Sequence, residues 1–182
     1  VTQDHRRAER LRLFATHGMK PRYQHHVVGI NSRLDSIQAA ALNVKLKHLP
    51  EATRLRQQNA DNYQELFEKA GIDQQVVLPT SGEAMEHVWN QYTIRVPGGQ
   101  RDALATHLGE CQVGHAIYYP IPLHQQACFQ IEGEDPPSLP ETEKAAAEVL
   151  SLPIFPELID DELEQVVGGI GDFFAQQQRS AA

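Results

Sequence analysis

Between Ser32 and Gly71 helical periodicity is interrupted only once, by Pro50. Proline in a helix interior removes an i→i−4 hydrogen bond and clashes with the preceding turn, so Pro50 breaks or kinks this stretch, with one helical pattern before it and another after it. In the first, Ser32 is in position to act as N-cap, with Asp35 three residues on in a near-capping-box position. Its apolar residues fall in two stripes, Leu34-Ile37-Ala41-Val44 and Leu42-Leu46-Leu49. Two stripes predict a helix buried on more than one side. Ala39-Ala40-Ala41 leaves room for a close neighbour. The second helix spans about Glu51 to Ala70, carries Leu55, Tyr63, Leu66 and Phe67, and stops at Gly71.

The flanking regions have a different character. Thr2 or Asp4 can cap a first helix to about His17, ended by Gly18. Alternation of Val88, Tyr92, Ile94 and Val96 predicts a half-buried strand over 87–96, with a shorter β-type run at Val76–Leu78. Pro97-Gly98-Gly99 is a turn into a helix over about Arg101–Gly109. A second strand is predicted from Val113 to Tyr119, ending in the loop Tyr118-Tyr119-Pro120-Ile121-Pro122-Leu123-His124. Residues 132–140 are acidic and proline-rich and read as a surface loop. Pro140–Leu150 reads as helix, Leu152–Phe155 as a short extended piece, and Asp160 as the cap of a last helix to about Gln178. Val166, Ile170 and Phe173 mark its inner face, while Gly168-Gly169 weakens it by about 1 kcal/mol per glycine. The sum is an α+β chain: long helices first, then a small antiparallel sheet flanked by helices. A helical segment, 1–70, is expected to precede a small α+β domain, 71–182.

Composition narrows the functional classes. A formal net charge of −8 argues against general nucleic-acid binding, which needs a basic surface to release counterions. The cluster His5, Arg6, Arg7, Arg10 and Arg12 reads as a solvated helix face. The two cysteines, Cys111 and Cys128, form no disulfide framework or zinc pattern. No apolar run reaches the roughly 18 residues of a membrane span, and no signal peptide is visible, so the expected compartment is the cytoplasm. The chain opens on Val1, which suggests a piece of something longer. His17, His25 and His26 are not expected to hold a metal, because adjacent loop histidines diverge and no carboxylate lies at ligand spacing.

Two segments carry candidate chemistry. Gly29-Ile30-Asn31-Ser32-Arg33 precedes a predicted helix start, where free N–H groups and the helix dipole favour an anion. Asn31 can donate a hydrogen bond, and Arg33 can pair bidentately with phosphate or carboxylate. Plain capping by Asn31 or Ser32, with Arg33 paired to Asp35 or facing solvent, accounts for the same residues. In the loop 118–124, Pro120 and Pro122 stiffen the backbone and fix where the tyrosine hydroxyls and the His124 imidazole point. Such groups suit a sugar; a strand end with one tyrosine in the core is the other reading.

Five blocks then stand out together. VVGINSRLDSIQAAALNVKLKHLPE (with R-x-x-N-A-x-x-Y-x-x-L after it), HVWNQYTIRV, RDALATHL, YYPIPLHQQACF and VLSLPIFPEL resemble, in order and spacing, the sugar aminotransferases of the DegT/StrS type. The resemblance runs from Arg7 to about Val167. It implies the C-terminal portion of a fold-type-I, pyridoxal 5'-phosphate (PLP)-dependent homodimer, with active sites at the subunit interface. Glutamate would donate the amino group and a nucleotide-linked keto-sugar would accept it, for polysaccharide or secondary-metabolite sugar biosynthesis. Asn31 matches the asparagine that reaches the PLP phosphate of the partner subunit. Arg33 matches a position near substrate. Tyr118, Tyr119 and His124 match the loop lining the sugar pocket, with His26 a weaker candidate. The loop leans towards members acting at C-3 of a hexose. None of Lys20, Lys45, Lys47, Lys69 and Lys144 matches the Schiff-base lysine, which belongs to an upstream large domain together with the aspartate and aromatic that hold the cofactor ring. The chain alone is therefore expected to be inactive, contributing a half-site to a partner. A catalytically inactive binding module derived from the same family is the alternative.

Overall fold

The computed structural model describes residues 2–21, 24–32, 34–82, 86–126, 135 and 137–181. The chain forms two compact units, 1–49 and 50–182.

The first unit begins with α1, His5–Ala15, which Asp4 caps by accepting from the Arg7 N–H at 3.1 Å. The chain then turns at Gly18, whose φ of +69° favours glycine, and a Cβ there would lie 1.8 Å from the Val27 carbonyl oxygen. Residues 30–32 return antiparallel to the end of α1. The Ile30 and Ser32 N–H groups donate to the carbonyls of Phe14 and Ala15, and the His17 N–H donates to Ile30. Ser32 is thus committed to this short ladder and does not cap a helix. The next helix, α2, is Ser36–Leu46, and its N-cap is Asp35, with Gln38 Oε1 accepting from the Asp35 N–H. The expectation that this helix is buried on more than one side is not met. None of its residues is buried, and Ile37 is 85% exposed.

Helix α3, Leu49–Ala70, lies in the second unit from Pro50 on and starts on the residue before that proline, where a missing N–H costs nothing because the first turn has no intrahelical acceptor. The sequence reading grouped this helix with the N-terminal segment; its Tyr63 and Phe67 are fully buried in the core of the second unit. The sheet has two strands, β1 (Tyr92–Arg95) and β2 (Val149–Leu152), antiparallel with Tyr92 opposite Leu152 and Arg95 opposite Val149. Single bridges extend it on both sides, Val77 to Arg95 and Ala116 to Ser151.

The sheet departs from the sequence reading at three places, each with a local cause. The predicted strand over 87–96 shortens to four residues because Trp89 takes a left-handed φ of 47°. The predicted strand over 113–119 makes only the Ala116 bridge; Gly114 on one side, and Pro120 and Pro122 on the other, leave little regular backbone to pair. The predicted helix over 140–150 stops earlier. Helix α5 is Pro140–Glu148, and Val149 begins β2. Arg101, buried at the start of α4 (Arg101–Glu110), fixes this junction by donating from Nη1 to the carbonyls of Ala146 and Val149, both at 3.2 Å.

The last helix, α6, runs unbroken from Asp160 to Ala181. Glu162 Oε2 accepts from the Ile159 N–H at 3.1 Å, so Asp160 lies inside the first turn rather than capping it. Burial of Val166, Val167, Ile170, Phe173 and Phe174 outweighs the helix-weakening Gly168-Gly169 pair. The α6 row packs against Leu104 and Leu108 of α4, behind a sheet core of Tyr92, Ile94, Leu150 and Leu152. On α3, Asn59 and Tyr63, one turn apart, hold the segment after β2: Asn59 Nδ2 donates to the Phe155 carbonyl and the Tyr63 hydroxyl to that of Pro153, both at 2.9 Å.

Candidate substrate site

Two separate places hold the residues that the sequence singles out, one in each unit. In the first unit, Asn31 pairs across the ladder with Thr16 and is exposed. Gly29 packs so tightly that a Cβ would approach the Phe14 carbonyl oxygen to 2.4 Å, so a backbone crossing explains this glycine without any ligand. The helix-terminus argument for an anion at Asn31 does not hold. α2 starts four residues beyond Ser32, and the Asp35 carboxylate stands at its mouth. His26 is tied into its own loop, with Nε2 donating to the Lys20 carbonyl and its backbone N–H to that of Gly18. His25 is held likewise, Nδ1 donating to the His17 carbonyl at 2.7 Å. Among the described residues no group of three or more His, Cys, Asp or Glu is arranged to hold a metal. Arg33 lies outside the described residues.

In the second unit, the proline-marked loop and α5 flank a half-open cavity of about 710 Å³ lined by Tyr118, Tyr119, Ile121, His124, Thr142 and Val149, among others. Its size suits a small ligand. The two tyrosines meet edge to face, ring centroids 5.8 Å apart, and both are substantially exposed. Leu123–Gln125 is a single 3₁₀ turn following Pro122, and it carries His124 inward until its side chain is only 9% exposed. There Nε2 lies 3.1 Å from Glu143 Oε1, which also accepts from the Leu139 N–H at 2.9 Å. The Leu139 hydrogen bond first, and the His124 contact second, hold the Glu143 carboxyl below its usual range. A more polar cavity of about 440 Å³ shares Tyr118 with it and is lined by Asn90, Gln91, His115 and Ser151, among others.

The structure thus gathers Tyr118, Tyr119 and His124 on one cavity. It adds two residues that sequence reasoning overlooked, Thr142 in the cavity wall and Glu143 bonded to His124 outside it. They read as the polar side of a short helix, 18 and 19 residues beyond His124. The available signal was Pro140, which fixes the first turn of α5 and so places Glu143 near that turn.

The sequence matches the DegT/DnrJ/EryC1/StrS aminotransferase family over residues 1–171. The chain belongs to that family. It is 45% identical over 174 residues to a pleiotropic regulatory protein of Geobacillus stearothermophilus, covering 96% of this chain and 46% of that protein. It is 34% identical over 173 residues to dTDP-3-amino-3,6-dideoxy-alpha-D-galactopyranose transaminase of Aneurinibacillus thermoaerophilus, covering 95% and 46% respectively. Its fold matches the crystal structure of S. venezuelae DesV in complex with a ketimine intermediate, with a TM-score of 0.79 and 35% identity over 95% of this chain and 45% of DesV. The chain therefore spans less than half the length of these relatives. The α+β architecture is that of the corresponding portion of such aminotransferases. No described helix is long and apolar enough to cross a membrane.

Proposed function

We propose that this chain is the C-terminal portion of a PLP-dependent aminotransferase that transfers an amino group from glutamate to a nucleotide-linked keto-sugar, working as a homodimer in the cytoplasm. The observation that carries the reading is the cavity of Tyr118, Tyr119 and His124, set in a chain of this family. PLP, when bound, supplies an electron sink for the transfer. The residues present fit one part of that cofactor, its phosphate. Asn31 is an exposed residue on backbone anchored at Thr16, and a carboxamide is a donor type suited to a phosphate oxygen of the partner subunit's cofactor. Arg33 adds the positive charge near substrate that the resemblance assigns to it.

In the second unit the chemistry is one of orientation. Tyrosine hydroxyls both donate and accept, so Tyr118 and Tyr119 can satisfy sugar hydroxyls of either polarity. Their ring faces and Ile121 can cover the apolar C–H faces of a pyranose. His124, buried and hydrogen-bonded, presents a fixed ring rather than a mobile one. Positioning of this kind lowers the barrier by removing misoriented encounters. The Schiff-base lysine is supplied by a segment outside this chain, and this chain by itself is inactive on this reading.

A second reading is favoured by the name of the G. stearothermophilus relative, a regulatory protein. On that reading the cavity binds a ligand without turning it over. Loading the full-length protein with PLP and following amino transfer from glutamate to a panel of nucleotide keto-sugars separates the two. Turnover supports the aminotransferase. Nucleotide-sugar binding with no transfer supports the binding module.

A further inference from the structure

A carboxylate outside the cavity wall holds the one buried imidazole in that wall. Glu143 is not among the residues facing the cavity, yet its Oε1 accepts from two donors at once, Nε2 of His124 at 3.1 Å and the backbone N–H of Leu139 at 2.9 Å. The first donor belongs to the loop after Pro122 and the second to the entry of α5, so one oxygen ties the two walls together. An ionised carboxylate only accepts, which places a proton on Nε2 of His124. In the neutral ring Nδ1 is then an acceptor, ready for a donor such as a sugar hydroxyl. The carboxyl of Glu143 is held below its ordinary range, first by the Leu139 N–H and then by His124, so it stays ionised at neutral pH.

We propose that Glu143 is a positioning residue of the substrate site, setting the tautomer and angle of His124 so that His124 accepts a hydrogen bond from a hydroxyl of the bound sugar. This rests on the aminotransferase reading for the identity of the ligand; the carboxylate–imidazole pair does not. Both bonds converge on one oxygen, so Glu143→Gln can keep them through the amide oxygen, whereas Glu143→Ala removes both. Glu141, the other carboxylate in the first turn of α5, is the control for effects on the helix alone.

The test uses the full-length protein, PLP-loaded and labelled with ¹⁵N at histidine. The proton of His124 should reside on Nε2 in the wild type, in Glu143→Gln and in Glu141→Ala, and should distribute between both nitrogens in Glu143→Ala. Glu143→Ala should raise KM for the keto-sugar nucleotide about tenfold, the loss of one hydrogen bond. The half-reaction with glutamate should stay within twofold of wild type, and Glu143→Gln should restore KM to within threefold. An unchanged His124 tautomer in Glu143→Ala overturns the proposal, and so does equal damage to both half-reactions. If Glu143→Ala does not fold, a Glu143→Gln variant with a scrambled tautomer overturns it as well. Absence of any amino transfer in the wild type refutes the aminotransferase reading, while the tautomer measurement still decides the pair.

Discussion

Tyr63 and Tyr92 pose a matched experiment, because they stack on each other and differ in what their hydroxyls meet. Their ring centroids are 4.8 Å apart with planes inclined by 29°, and both side chains are fully buried. The Tyr63 hydroxyl donates to the Pro153 carbonyl at 2.9 Å. That of Tyr92 is buried with no hydrogen-bond partner among the described residues. Burial pushes both phenols well above their ordinary range, so each is compared as a neutral group. Replacing either with phenylalanine keeps the ring and its stacking and deletes only the oxygen. For Tyr63→Phe the loss is one neutral hydrogen bond, about 1 kcal/mol net, to the carbonyl of a half-buried residue. For Tyr92→Phe a desolvated and unpaired hydroxyl disappears, and the variant is expected to be as stable as wild type or about 1 kcal/mol more stable. For a unit of this size a kcal/mol corresponds to about 4 °C in Tm. Urea unfolding followed by far-ultraviolet circular dichroism reads both, provided m is unchanged. Opposite signs, or a gap of at least about 1 kcal/mol, are expected. Equal destabilisation by the two variants would refute the hydrogen-bond assignment and show that both hydroxyls are satisfied.

Three further outcomes test the functional reading. Asn31→Ala in the full-length protein should weaken PLP retention by about 1.5–3 kcal/mol, the value of a charge-assisted hydrogen bond, measured by equilibrium dialysis of the cofactor; unchanged affinity removes Asn31 from the phosphate site. Tyr119→Phe and His124→Ala should slow the sugar half-reaction more than the glutamate half-reaction in single-turnover spectra, and equal slowing of both would contradict a sugar pocket. The depressed pKa of Glu143 gives a signed pH dependence. A folded carboxyl below its unfolded value of 4.5 stabilises the fold above that value, and the contribution disappears as pH falls through the folded pKa. Wild type and Glu143→Gln should therefore diverge in Tm at neutral pH and converge in strongly acidic solution; a constant difference would mean the carboxylate plays no part.

The helices were largely legible in the sequence because their signals are local. Asp4 and Gly18 bracket α1, Pro50 and Gly71 bracket α3, and each acts within one turn. The sheet was less so. β2 occupies Val149–Leu152, where an apolar row continuing from α5 looks like more helix. What ends that helix lies about 45 residues earlier in the chain, the Arg101 guanidinium bonded to the Ala146 and Val149 carbonyls. Likewise Trp89 cuts its strand short through one left-handed residue that no alternation pattern reveals. The substrate site divides in the same way. Tyr118, Tyr119 and His124 sit within seven residues and announce themselves, whereas Glu143 enters only through a contact across the fold.

The helix α2 shows the limit of periodicity as a guide to burial. Its pattern asks for cover on two faces, and Leu42, Val44 and Leu46 all stand more than half exposed. At about 25 cal/mol per Å² of apolar surface, leaving such side chains in water forgoes roughly 1–2 kcal/mol each, more than helix propensity alone restores in so short a helix. A sequence that places apolar residues on both faces of an 11-residue helix is written for an environment larger than the chain described. The homodimer proposed above supplies one. The same reasoning explains why α6, with an unfavourable glycine pair, is secure and α2, with three successive alanines, is exposed: burial, which propensity does not encode, decides both.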